Sequence, residues 1–156
     1  MEVKIKDIIK KYKDEFILFN MLDESEIENI VPYLAIEDYL QGSVLYNEGD
    51  EGNYIGFIIQ GELEVKKETE FKGKQIVIAI LGEGSFVGEL ALVDAKRRRN
   101  ATVAVRQNVE LVTLNRASLE IIVEKYPRIA IKILKGLNQI MAIRMRKAVD
   151  RLASIF

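Results

Sequence analysis

The chain contains neither cysteine nor histidine. Without cysteine there is no disulfide, no thiolate nucleophile and no cysteine-ligated iron–sulfur cluster. Without histidine the commonest general base and metal ligand is missing, and ordinary hydrolase triads go with it. No stretch approaches the roughly 18 consecutive apolar residues of a membrane span. The opening MEVKIKDIIKKYKDEF is too charged for a secretory core segment, so a soluble cytoplasmic protein is expected. Neither sign of charge dominates: 23 basic and 24 acidic side chains leave a net charge of -1. No global field therefore favours nucleic acid or an anionic membrane. What is present, 156 residues of which 49% are apolar, suffices for one well-filled core. These absences leave a binding protein as the expectation, with no enzyme activity, no metal and no cofactor apart from a ligand.

Residues 1–34 read as helical. Between positions 3 and 13 lysines alternate with Val3, Ile5, Ile8 and Ile9 at spacings that suit a short amphipathic helix. Leu18, Phe19 and Leu22 follow and should join the same core. Asp23 with Glu26 three positions on resembles a capping box, opening a helix that turns Ile27, Ile30, Val31 and Leu34 inward. From 35 to 115 the texture changes to short β-type runs. Strands are expected near 35–40, 43–47, 54–60, 62–68, 74–81, 101–107 and 109–115, with a brief extended piece at 85–87. Glycines at 42, 49, 61, 73, 82 and 84 punctuate them as turn residues. Many short strands with regular turns imply a closed or double-sheet β structure. Phe57, Ile58, Ile76, Ile78 and Ile80 are expected in its core, and Glu68, Glu70, Lys72 and Lys74 at a solvated hairpin tip.

Helical periodicity returns over 116–156. Asn115 is a candidate N-cap for a helix that buries Leu119, Ile122 and Val123, and Pro127 suits the first turn of the next one. That helix is expected to run almost to the end. Ala130, Leu134, Leu137, Met141, Met145, Ala148, Leu152 and Ile155 step mainly by threes and fours, with Ile129, Ile133, Ile140 and Ile143 in a row beside them. The apolar face is wider than docking on one small barrel needs.

The chemistry concentrates in GELALVDAKRRRNATV, residues 88–103. Gly88 lets backbone approach a ligand closely. A helical turn at Glu89–Leu92 would offer free N–H groups to an anion. Arg99 adds a planar fork of donors matched to phosphate oxygens. Glu89 would repel that phosphate, so it should face a neutral donor such as a sugar hydroxyl. Phosphate and hydroxyl on one small ligand suggest a nucleotide. The bland alternative is a jelly-roll turn on which Glu89 and Arg99 merely pair with each other. Arg97 and Arg98 read as exposed, with at most a steering role.

This stretch closely resembles the phosphate-binding cassette of cyclic nucleotide-binding domains, the family of the protein kinase A regulatory subunit and the bacterial catabolite activator. Gly88, Glu89, Leu90, Ala91, Leu92, Arg99 and Ala101 fit its pattern. Gly42-Ser43-Val44-Leu45, Glu48-Gly49-Asp50 and Phe57 to Val65 are similar to its signature upstream. The resemblance implies a mainly β fold with flanking helices: a double-stranded β-helix (jelly-roll) barrel with N-terminal helices and a long C-terminal helix. It further implies that Arg99 takes a cyclic phosphate, that Glu89 takes the ribose 2′-hydroxyl, and that the amides around Ala91 and Ala101 complete the cradle. Val87, Leu90 and Asn100 border it.

For residues 116–156 the resemblance implies a lid over the base and a parallel homodimer burying Leu137, Met141, Ala148 and Leu152. The other reading is a single helix folded back on its own domain. Arg144 falls where lid residues touch the base; pointing inward it could stack on a base or bond a guanine edge, and pointing outward it joins the solvated stripe of Arg146, Lys147 and Arg151. The chain ends at Phe156, where activator-type relatives begin a helix-turn-helix, so direct DNA binding is not expected. The ligand implied is cAMP or cGMP. Asn100 argues for neither, and the family's bacterial members tilt the expectation to cAMP. Two alternatives stay open: a protein–protein interaction module with a vestigial pocket, and a sensor of another anion. The output partner is unassigned.

Overall fold

The computed structural model describes residues 1–156. Its first helix, α1 (Glu2–Lys11), buries Ile5 and Ile9 and leaves Val3 in solvent, against the expectation for that position. Lys4, Lys6 and Lys10 on its outer face pair with Glu110, Glu28 and Glu24. Such exposed pairs contribute little to stability. The apolar face decides the docking of α1. A 3-10 turn at Ile17–Phe19 follows and buries Leu18 and Phe19. Phe16 and Phe19 both meet Phe57 with ring centroids 5.0 and 4.9 Å away.

The second helix, α2 (Glu24–Ile30), opens on the expected capping box. The Glu26 amide donates to the Asp23 carboxylate at 2.8 Å, and the Asp23 amide donates to the Glu26 carboxylate at 2.9 Å. Both orphan amides are satisfied by side chains four residues or fewer away, which is why the start was legible locally. Glu26 also accepts from Lys132 at 2.7 Å. Asp23→Ala is expected to lower stability by about 0.5–2 kcal/mol, readable as a fall in melting temperature with the fold unchanged by circular dichroism.

Six strands follow: β1 (Leu34–Tyr39), β2 (Val44–Tyr46), β3 (Tyr54–Glu68), β4 (Gln75–Leu81), β5 (Phe86–Val87) and β6 (Thr102–Asn115). They form one antiparallel sheet in the order β1-β6-β3-β4, with β2 added to β6 and β5 added to β3. The sheet is not closed; β1 and β4 are its ends. Where the sequence suggested two strands at 54–60 and 62–68 there is a single bent one, and the pieces at 101–107 and 109–115 likewise form β6. The register between β3 and β6 slips at Ile58/Gln60, Gln60/Glu62 and Glu62/Leu63. These bulges bend both strands while hydrogen bonding continues on either side. Gly61 sits in the bend at φ +88°, where a Cβ would lie 2.0 Å from the Asn108 carbonyl oxygen.

The bend divides the interior. One core lies under the helices and contains Phe16, Phe57 and Ile133; the other, among the strands, contains Ile58, Leu63, Val103 and Leu111. Phe57 and Ile58 are buried as expected, but Ile76, Ile78 and Ile80 are exposed. They lie on β4, an end strand of the sheet, and Ile78 borders the cavity described below.

Asn115 caps α3 (Arg116–Lys125), its side-chain oxygen accepting from the Ser118 amide at 2.7 Å. Leu119 and Ile122 are buried there, whereas Val123 is exposed. The long helix α4 (Pro127–Ala153) begins on Pro127. Its docking face is Ile129, Ala130, Ile133, Gly136, Leu137 and Ile140, laid on the Ile17–Phe19 turn. Leu137, expected in a dimer seam, is therefore consumed by its own chain. Ile131, Leu134, Met145 and Leu152 remain in solvent.

Candidate functional site

A cavity of 690 Å³ opens between the sheet and the C-terminal half of α4. Its walls include all nine residues singled out from the sequence: Val87, Gly88, Glu89, Leu90, Ala91, Arg99, Asn100, Ala101 and Arg144. The volume falls in the range of small-molecule pockets, about 300–1,000 Å³.

The cassette is built around Gly88, whose φ of +79° turns the chain from β5 into a 3-10 turn at Glu89–Leu92. A Cβ on Gly88 would lie 2.3 Å from Arg99 Nη1, so the guanidinium occupies the space a side chain would need. The Ala91 amide, expected to face the ligand, instead donates to the Gly88 carbonyl at 3.0 Å. Arg116 holds the far end of this turn through the carbonyls of Ala91 and Asp94, both at 3.3 Å. Lys67 donates to the Asn100 carbonyl at 2.6 Å and steadies the return.

Arg99 is placed by its backbone. Its amide donates to Asp50, and its carbonyl accepts from Gly49, each at 2.8 Å. The Glu48-Gly49-Asp50 turn read from the sequence thus clasps the cassette loop. The side chain is 5% exposed, and Nη1 donates to the Tyr54 carbonyl at 3.0 Å. Nε is buried with no hydrogen-bond partner. Cζ lies 3.9 Å from the centroid of the Tyr46 ring and 4.6 Å from that of Tyr54. No carboxylate pairs with it. Two ring faces and one backbone carbonyl, and no carboxylate, surround its charge.

Glu89 takes a different partner. Buried under the cavity floor, it pairs with Arg144, which reaches in from α4. The Arg144 guanidinium also lies 4.9 Å from the Phe86 ring centroid and donates to the Phe86 carbonyl at 3.4 Å. The surface Glu89–Arg99 pair considered at first is absent. Arg144 points inward. Sequence reasoning missed Tyr46, Tyr54 and Phe86, because nothing local in those strands marks an aromatic as the neighbour of a distant arginine. Burial pushes the Tyr46 and Tyr54 hydroxyls up from the usual phenol value against the opposing pull of Arg99, so both are neutral at physiological pH.

Residues 36–126 match the family described as the cyclic nucleotide-binding domain. The chain belongs to it. By its description this family is a ligand-binding one. The match includes the cassette, Arg116 and both tyrosines but stops short of α4 and Arg144. The chain is 28% identical over 131 residues to the cyclic AMP receptor protein of Thermus thermophilus, covering 84% of this chain and 58% of that one. It is 34% identical over 103 residues to the cAMP-dependent protein kinase regulatory subunit of Schizosaccharomyces pombe, covering 66% of this chain and 24% of that protein. It therefore spans less than two thirds of either relative. Among solved structures, a cyclic nucleotide-binding domain from Methylobacillus flagellatus superposes with a TM-score of 0.82 at 26% identity, over 95% of this chain and 86% of that one. The jelly-roll class of these neighbours agrees with the sheet described above.

Proposed function

We propose that this chain is a sensor of a 3′,5′-cyclic nucleotide, with cAMP as its ligand. Arg99 takes the cyclic phosphate, Glu89 takes the ribose 2′-hydroxyl, and the residues bordering them, Val87, Gly88, Leu90, Ala91, Asn100 and Ala101, form the cradle. The observation that carries this reading is the buried, carboxylate-free Arg99 in the cavity wall. The relatives named for cAMP support the choice of base.

Glu89 supplies the link to signalling. One of its oxygens engages Arg144, and a carboxylate has acceptor capacity to spare for a sugar hydroxyl. A nucleotide seated on Glu89 thus contacts the same group that holds α4 down, and any difference in its affinity for the held and released arrangements shifts the balance between them.

The output surface is a stripe along α4. Ile131, Leu134, Asn138, Met145 and Leu152 are exposed, and with half-buried Met141 and cavity-lining Ala148 between them they alternate spacings of three and four, the pattern of a two-helix seam. This stripe replaces the one expected from sequence, because Leu137 is already buried. A second copy is its proposed partner, in a parallel pair with Asn138 facing Asn138; a lone polar residue in such a seam fixes register. Met145→Glu would place like charges across that seam. Sedimentation velocity is expected to show a dimer for the parent and a monomer for this variant; two monomers would remove the pair from the proposal.

The deciding experiment is calorimetric titration of protein stripped of nucleotide with cAMP and, separately, cGMP. Saturable heat with cAMP is the expected result. A folded, ligand-free protein giving no heat with either would turn the reading to an interaction module working through α4.

A further inference from the structure

A buried guanidinium without a carboxylate is unfavourable unless something else compensates the charge. Around Arg99 that role falls to two rings. Tyr46 closes β2 opposite Val103 of β6, and Tyr54 opens β3 opposite Asn115. Their centroids are 6.4 Å apart and their planes meet at 78°, so they form two walls of a corner. The guanidinium carbon sits in that corner, 3.9 Å from one ring centre and 4.6 Å from the other. The negative face of an aromatic ring attracts a cation but accepts few of its N–H bonds. A carboxylate in the same place would satisfy those N–H groups and repel an incoming anion.

We infer that Tyr46 and Tyr54 are positioning residues for anion capture: their rings stabilise Arg99 as a buried cation and leave its free N–H edge to the ligand. The identity of that anion as a cyclic phosphate rests on the function proposed above; the bracket itself does not. Tyr46 also lines the cavity, so the ring that holds the cation borders the ligand. Both phenols are held neutral by burial, and no phenolate competes with the arriving phosphate.

Two measurements test the bracket. The first uses ligand-free protein and a double-mutant cycle of Tyr46→Leu and Arg99→Leu, read by thermal melting. Losing the ring is expected to lower the melting temperature by roughly 2–4 °C more when Arg99 is present than when it is leucine. Equal shifts in both backgrounds overturn the bracket. The second keeps ring volume nearly constant and varies its charge distribution: phenylalanine, then mono-, di- and trifluorophenylalanine, at position 46. Tyr46→Phe is expected to bind cAMP within roughly threefold of the parent, with each added fluorine weakening binding to about tenfold overall. A flat series overturns the positioning role, since packing alone responds little to fluorine. If the parent takes neither cAMP nor cGMP, the sensor reading falls, while coupling in the ligand-free cycle still supports the bracket.

Discussion

Arg99→Leu is expected to weaken cyclic nucleotide binding by on the order of tenfold to a few hundredfold, the equivalent of about 1.5–3 kcal/mol for one charge-assisted contact. The protein should stay folded. Arg99 takes part in no ion pair, so its removal strands no carboxylate, and its one side-chain bond goes to the Tyr54 carbonyl. Leucine is shorter than arginine and forgoes the contacts of the guanidinium with the Tyr46 and Tyr54 rings, so a modest loss of stability is expected. The expected pair of results is thus weakened binding by calorimetry together with a slightly lower melting temperature. Parent-like affinity would remove Arg99 from the phosphate site. A large loss of stability would mean that the side chain is structural first and leaves the binding result uninformative about contact.

Gly136→Val is expected to lower stability by about 1–3 kcal/mol and to weaken ligand response with it. A Cβ at 136 would stand 2.7 Å from the Ile17 carbonyl oxygen and 2.9 Å from the Leu18 Cα. Both are backbone atoms within a 3-10 turn, so neither can swing aside, and α4 itself must lift. The gain in helix propensity on leaving glycine is under about 1 kcal/mol and smaller for a β-branched residue. Sterics win. Arg144 lies about two turns further along the same helix, so lifting α4 at Gly136 also draws the guanidinium from Glu89. Thermal melting and cAMP titration of the one variant check both halves. A melting temperature at or above that of the parent would contradict the close approach of α4 to the Ile17–Phe19 turn.

Features with short-range causes were legible without coordinates. The Asp23–Glu26 box and the Asn115 cap each connect groups three residues apart. The cassette was legible for a similar reason, since Gly88, Glu89 and Arg99 lie on one short loop. Two-residue periodicity located every strand but could not tell an interior strand from an end strand, so Ile76, Ile78 and Ile80 were misplaced in the core. It also split β3 and β6 at their bulges, because a slip in register looks in sequence like a turn.

The sequence by itself determined the helix caps at Asp23 and Asn115, the mainly β character between 34 and 115, and the cassette residues of the cavity wall. Those properties depend on caps, turns and periodicity over a few positions. Tertiary structure alone decided the partnerships: Glu89 with Arg144 and not Arg99, Arg99 with Tyr46 and Tyr54, and which of two apolar rows of α4 docks. Both rows are hydrophobic enough to be buried. The choice fell to the row containing Gly136, the one position where helix and turn can touch backbone to backbone.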